Sequence, residues 1–454
     1  MSLVKNRALY DDRLQMAVYD ALRSNEGVAA LVIDASRIML GSGASSEPSI
    51  EEAILGIGEH LASVVRPDET VARLDARRFG VVLRGFSNAQ QIVTRCNHVM
   101  GALKPPRAPS SSTLAASMGV AVFPRDSTSA PELLRLATEA CASAASQAAP
   151  SAIRYQAPEM EARSQLRGDL EANLREAMNQ QRLRLHYQPK VSLGSKMVSG
   201  AEALLRWNDA VRGAIPPNEF IPVAEETDLI LGLGSWVLDR ACGALAERTR
   251  LGYEEIPVSI NVSTRQFQQQ DVPELVQRAL DRSGVDPSLL QLEITEGLLV
   301  GDTGRMLHCL SYLRDMGLKL ALDDFGRGYS SLDRLKTLPL DYVKIDQSFI
   351  RGMQEDDRDQ AVVESIVRMS HRLGFRVIAE GVENAWQAAF LTDIGCDEAQ
   401  GYLFRRPMAE EEFTCLKPRT AWSKSDVDLD LMAPTRRAPP RGFTTASSAP
   451  EPAP

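Results

Sequence analysis

Seven apolar runs from residue 199 onward carry, at or near their ends, a residue able to hold a cation or move a proton. Glu202, Asn261, Glu293, the pair Asp323 and Asp324, Lys344, Glu380 and Gln400 stand in the runs at 199–207, 256–263, 289–296, 318–326, 341–346, 375–383 and 398–404. Carboxylates gathered without counter-charge repel one another, which raises their pKa values and costs stability. Divalent cations relieve that repulsion, and an oxygen donor set with no histidine or cysteine selects Mg²⁺ or Mn²⁺ over zinc. The adjacent pair suggests two ions, on the condition that a bulge at the strand end turns both carboxylates inward, since neighbours on a regular strand point to opposite sides. Two bridged ions can deprotonate a shared water and stabilise an in-line displacement at phosphorus. Lys344 would hold that water or a phosphoryl oxygen as a point charge, and Arg206, four residues beyond Glu202, offers a forked donor for a phosphate. One acidic residue at a strand end is commonly a helix N-cap. Its repetition along the chain is what carries the metal reading.

These residues need elements that bring them together. With a run at 184–191 there are eight strand-like runs, most of them separated by helical pattern, and eight repeated βα units fit a barrel whose strand ends converge on one face. An open doubly wound sheet fits the same periodicity. The first half shows apolar alternation and turn signals from Gly27 to Pro124 with two helical stretches, then an Ala-rich helix at 131–149 closed by Pro150, an α/β pattern. The expected divisions are a first domain at 1–155, a connecting helix at 156–180, a barrel at 181–418, and a disordered Pro/Ala/Ser-rich tail at 419–454. Two domains suit 454 residues, and 51 Lys and Arg against 60 Asp and Glu argue against a nucleic-acid polymer as partner. The five histidines have no metal spacing, and the six cysteines form no CxxC pair. The opening residues lack the apolar stretch of a secretion signal and no eighteen apolar residues run together, so the expectation is a cytoplasmic chain without a membrane span.

The motifs EALLRW (202–207), NVS (261–263), LEITE (292–296), DDFGRGYSSL (from 323), KID (344–346), AEGVE (379–383) and QGYLF (400–404), in this order, resemble the EAL domain of bacterial cyclic di-GMP phosphodiesterases. The resemblance covers about Gln165 to Pro418. It implies a modified (β/α)8 barrel of the TIM type that hydrolyses cyclic di-GMP to pGpG with two Mg²⁺ or Mn²⁺ ions, as a homodimer through this domain. Carried over by position, Glu202, Asn261, Glu293 and Asp323 match the ligands of one metal. Asp323, Asp324 and Glu380 match those around the other. Lys344 matches the lysine on the catalytic water, and Glu380 is also a candidate general base. Gln188, Arg206 and Gln400 match substrate-lining positions, and Glu296 the glutamate that steadies the loop after the double aspartate. Two departures stand out: Arg327 replaces a small residue, and Asp228 replaces a glycine at a turn where positive φ is expected, a conformation Asp tolerates better than most.

The first domain resembles a GGDEF (diguanylate cyclase) domain, an α/β sandwich, that has lost its chemistry. Its framework survives in ALVID, VARLDARRFGVVL and SMGVAVFPRD, but Asp75, Ala76, Arg77, Arg78 and Phe79 occupy the signature, so only the phenylalanine remains. Both glycines that would let backbone approach a triphosphate are absent. Asp34 keeps the first metal position, while Ser36 replaces the second. Arg66 and Glu69 in RPDE are a loose match to a product-binding motif. The expected role is regulatory or dimerising, with a protein partner on residues 1–155. Two alternatives accompany the phosphodiesterase reading: a non-catalytic cyclic di-GMP receptor acting through a partner, and, from barrel and carboxylates alone, an enolase-like lyase with Lys344 as base.

Overall fold

Residues 28–33 alternate between two apolar faces, as a strand covered on both sides must. The computed structural model, which describes residues 5–39, 50–101, 103, 113–146, 152–209, 211–299, 303–326 and 335–417, places them in the middle of a six-stranded sheet. Its strands are β1 (Lys5–Asn6), β2 (Gly27–Met39), β3 (Thr70–Arg73), β4 (Arg78–Phe86), β5 (Thr113–Phe123) and β6 (Ala152–Tyr155), in the order β1-β3-β4-β2-β5-β6. β2 runs antiparallel to both β4 and β5, and the outer β1 and β6 pair parallel to their neighbours. Val28, Ala30 and Val32 share a core with Tyr10 and Leu14 of α1 (Arg7–Ser24) and with Leu133 and Ala137 of α4 (Ala130–Ala145). Ala29, Leu31 and Ile33 share the opposite core with Ile54, Ile57 and Leu61 of α2 (Ile50–Val64) and Ile92, Val93 and Cys96 of α3 (Ala89–Gly101). The expected α/β sandwich is present. Gly119 allows the close seat of α4 on β5, since a Cβ there would lie 2.0 Å from the Ala137 carbonyl oxygen.

The chain divides into two compact units, Met1–Arg182 with Asp209–Leu229, and Leu183–Asn208 with Ile230–Pro454. The first therefore includes α5 (Pro158–Asn179), which covers the segment read as a connecting helix. It also takes back a stretch holding the short strand β9 (Gly213–Ile215) and α6 (Pro217–Glu226), which is ion-paired to α5 through Arg167 and Glu226.

The second unit is a closed barrel. Its eight strands are β7 (Leu183–Ser192), β8 (Val198–Asp209), β10 (Val258–Val262), β11 (Leu290–Thr295), β12 (Lys319–Phe325), β13 (Tyr342–Ile345), β14 (Arg376–Ala379) and β15 (Glu398–Gln400), and the β7–β8 pairing shuts the ring. Closure decides against the open sheet. β7 departs from a uniform barrel: it runs antiparallel to both β8 and β15, while the others run parallel. The link at 193–197 is far shorter than the dozen residues a parallel crossover needs, so β7 and β8 form a hairpin. Short β16 (Met408–Ala409) pairs antiparallel with β7 at Tyr187 and His186.

The helices of this unit are α7 (Leu229–Arg250), α8 (Thr264–Gln269), α9 (Val272–Ser283), α10 (Thr303–Asp315), α11 (Gln347–Gly352), α12 (Asp357–Arg372), α13 (Ala385–Asp393) and α14 (Glu410–Thr414). By length and composition α7 could cross a membrane. Here Leu233, Leu238, Ala241, Ala244 and Leu245 are buried, and its Arg248 guanidinium donates to the carbonyls of Glu254, Phe413, Thr414 and Leu416.

Candidate active site

Parallel strands deliver their C-terminal ends to one face. Glu202 lies in β8, Asn261 in β10, Glu293 in β11, Asp323 and Asp324 in β12, Lys344 in β13, Glu380 just after β14, and Gln400 at the end of β15. Gln188 comes from the antiparallel β7, where it registers with Glu202. The pairing of β12 with β13 shifts register between Leu322 and Phe325, and Asp324 has φ +56 with its amide on Asp323 Oδ1 at 2.9 Å. This is the strand-end irregularity that adjacent carboxylates need if they are to serve one site.

Lys344 stands among the carboxylates. Its fully buried ammonium lies 2.6 Å from Glu293 Oε2, 2.6 Å from Glu380 Oε1, 3.1 Å from Asp323 Oδ1 and 3.8 Å from Glu202 Oε2. Asn261 Nδ2 donates to Glu202 Oε1 at 2.8 Å, and Gln400 Nε2 donates to Glu202 Oε2 at 2.7 Å and to Gln188 Oε1 at 3.1 Å. Burial works against the ammonium, but the four carboxylates outweigh it and hold its pKa well above the ordinary value. Burial and the neighbouring carboxylates raise Glu202 and Glu380 in spite of Lys344. Burial would raise Glu293 too, yet Lys344 and Lys190 reverse the balance and lower it.

Among the described residues no group of three or more His, Cys, Asp or Glu side chains stands preset to hold an ion. The Lys344 ammonium occupies the space between the carboxylates. The donor chemistry nonetheless fits a hard divalent cation, because one lysine leaves Glu202 and Glu380 resisting ionisation. In addition Gln400 Oε1, on the side chain that bonds Glu202, is buried without a hydrogen-bond partner.

Glu296, immediately after β11, accepts the Gly326 amide at 3.0 Å and so anchors the chain just beyond the double aspartate. Gly326 has φ +101, and a Cβ there would strike the Phe349 ring at 2.7 Å. Arg327 lies outside the described residues. Arg206 is half-buried, with a guanidinium hydrogen bond to the Leu205 carbonyl at 2.8 Å, and it is not among the groups that meet Lys344. Asp346 of the KID motif caps α11 through the Ser348 amide. The turn at Asp228 corrects an expectation: this residue is not among those with positive φ, and α6 ends instead on extended backbone at Thr227, so no left-handed position has to be filled.

Two features escaped the sequence reading. Tyr402 is exposed, with the Arg406 guanidinium 4.2 Å above its ring. Lys190 is buried beneath the carboxylates. The signal for Lys190 was its place two residues after Gln188 on the same strand face.

In the first unit the signature residues form the turn between β3 and β4. The Asp75 carboxylate accepts from the amides of Arg77 at 3.0 Å and Arg78 at 2.9 Å and from Arg78 Nε at 2.5 Å. Both of these turn amides are thus bonded to one side chain of the same turn. Glu69, from RPDE, is buried and paired with Arg95 at 2.5 Å, and it also accepts the Arg66 amide.

Comparison with known proteins agrees with this architecture. The EAL domain model matches residues 171–407, and the model of the diguanylate cyclase GGDEF domain matches residues 1–149. The bifunctional diguanylate cyclase/cyclic di-GMP phosphodiesterase MucR of Pseudomonas aeruginosa is 34% identical over 91% of this chain and 60% of its own length. The cyclic di-GMP phosphodiesterase NbdA of the same organism is 32% identical over 90% of this chain and 53% of its own. The chain thus spans a little over half the length of these relatives. A solved structure described as the PaMucR phosphodiesterase in complex with c-di-GMP is 41% identical and covers 54% of this chain and 99% of its own, with a TM-score of 0.52. The chain belongs to the EAL domain family and carries a GGDEF domain before its EAL domain.

Proposed function

We propose that the barrel hydrolyses cyclic di-GMP to pGpG. The observation that carries this is the convergence of Glu202, Glu293, Asp323 and Glu380 on one buried lysine, with amides from Asn261 and Gln400 on Glu202. Glu202, Asn261, Glu293 and Asp323 would hold one Mg²⁺ or Mn²⁺, and Asp323, Asp324 and Glu380 a second. Such ions supply Lewis acidity and a nucleophilic water at neutral pH. Glu202 acts by fixing the site's negative charge, held from both sides by Asn261 and Gln400. Lys344 holds the attacking water and later the phosphoryl oxygen, and Glu380 is within reach of the same ammonium to take a proton. Arg206 grips the non-bridging phosphate oxygens as a fork, and Gln188 with Gln400 lines the diester. Water oxygen bonds to phosphorus, one P–O bond to a ribose 3′ oxygen breaks, and that oxygen takes the proton. MucR and NbdA are named for this substrate, which supports the reading.

The first unit would be regulatory or dimerising and without cyclase activity, supported by the self-capped Asp75 turn. A homodimer through the barrel, a protein partner on residues 1–155 and a cytoplasmic setting complete the proposal. Full-length protein incubated with Mn²⁺ and cyclic di-GMP should yield pGpG, and Glu202→Ala should abolish it. Binding of cyclic di-GMP without turnover after metal is supplied would replace the enzyme with a receptor.

A further inference from the structure

Below the carboxylates lies a second buried cation. Lys190 is 2% exposed, and its ammonium meets Gln291 Oε1 at 2.8 Å, Ser259 Oγ at 3.0 Å and Glu293 Oε1 at 3.4 Å. An ammonium has three donors, and all three are used. The antiparallel course of β7 produces this arrangement. Gln188 reaches the level of Glu202, and two residues later on the same inner face Lys190 has moved towards the N-terminal ends of the parallel strands. Gly200, across from it on β8, leaves room for its stem, since a Cβ there would lie 3.3 Å from Lys190 Cε.

Glu293 is therefore shared between two lysines, with Oε1 facing Lys190 and Oε2 on Lys344 at 2.6 Å. The two cations are held differently. Lys344 is held by four carboxylates, the groups that an incoming dication would claim. Lys190 is held chiefly by a neutral hydroxyl and a neutral amide from β10 and β11. These have no reason to release it.

We propose that Lys190 is a positioning residue: a permanent counter-ion that pins Glu293 Oε1, so that Oε2 alone passes from Lys344 to a divalent cation. This deepens the phosphodiesterase reading and rests on it. Ligand-orienting partners of this kind typically carry about 10- to 100-fold in metal affinity.

The test is Mn²⁺ titration of the full chain, with free Mn²⁺ followed by its EPR signal, comparing two substitutions that each remove one positive charge. Lys190→Met should weaken Mn²⁺ binding about 10- to 100-fold. Lys344→Met should leave it unchanged or tighten it, because the competing ammonium is gone. A role through charge alone would move both variants in the same direction. Gln291→Lys in the Lys190→Met background returns an ammonium beside Glu293 and should restore binding to within a few-fold. Lys190→Met binding Mn²⁺ as tightly as wild type overturns the proposal. Should that variant not fold, Ser259→Ala with Gln291→Leu keeps the charge but removes its two neutral holders; several-fold weaker binding supports the proposal, and unchanged binding overturns it. Wild-type protein that binds no Mn²⁺ would instead overturn the phosphodiesterase reading itself.

Discussion

Within the carboxylate cluster around Lys344, the fold opposes the ionisation of Glu380 and Glu202, through burial first and then through neighbouring carboxylates. Glu380 is pushed up to about 8 and Glu202 to about 7. A group raised above its unfolded value contributes stability that is complete below the unfolded pKa and is lost as pH rises through the folded one. For these two the window runs from the ordinary value of 4.5 to about 7 and 8. The melting temperature of protein held in chelator should therefore fall between pH 5 and 8, and Glu380→Gln should flatten the decline. Mn²⁺ added at pH 8 should restore melting temperature more than at pH 5, since it binds the ionised form. The mutual repulsion behind this was readable from residue types alone. For Lys190 the spacing from Gln188 marks only the strand face it shares, and nothing local marks the three acceptors that other strands bring to it.

At the scale of elements, single positions set how strands, helices and loops meet. Gly119→Ala would drive a methyl group into the backbone of α4, where the nearest atoms are a carbonyl oxygen and an amide at 2.0 and 2.1 Å. A cost of about 3 kcal/mol is expected, read from the unfolding of the first unit in urea. Glu296 acts on the other unit by anchoring the Gly326 amide. Glu296→Ala should lower turnover by about 10²-fold with cyclic di-GMP binding largely kept, whereas Glu296→Gln retains an acceptor and should lose much less. All eight barrel strands were legible as runs of apolar residues. The reversal of β7 was passed over although the short link to β8 requires it, and the ordinary backbone at Asp228 shows that a family's glycine need not mark a left-handed turn in this chain.

In the whole molecule one unit gathers four carboxylates around a buried lysine, and in the other the turn that holds the signature residues is capped by its own Asp75. The Asp75 carboxylate already satisfies the amides of Arg77 and Arg78, so incubation with GTP and Mg²⁺ should produce no cyclic di-GMP; its appearance would refute the closed-turn reading. The units also do not follow a single boundary along the chain, since residues 209–229, read as barrel, belong to the first unit and pair with α5 through Arg167 and Glu226. Periodicity and motif order were enough for the sandwich, the barrel and the roll of strand-end groups, because those follow from local alternation and from the rule that parallel strands share one open face. Closure of the ring, the register shift that sets Asp323 against Asp324, the seat of Lys344 among four carboxylates and the second lysine beneath Glu293 depend on pairings between residues far apart in the chain. Local sequence carries no record of which distant side chain completes a buried charge.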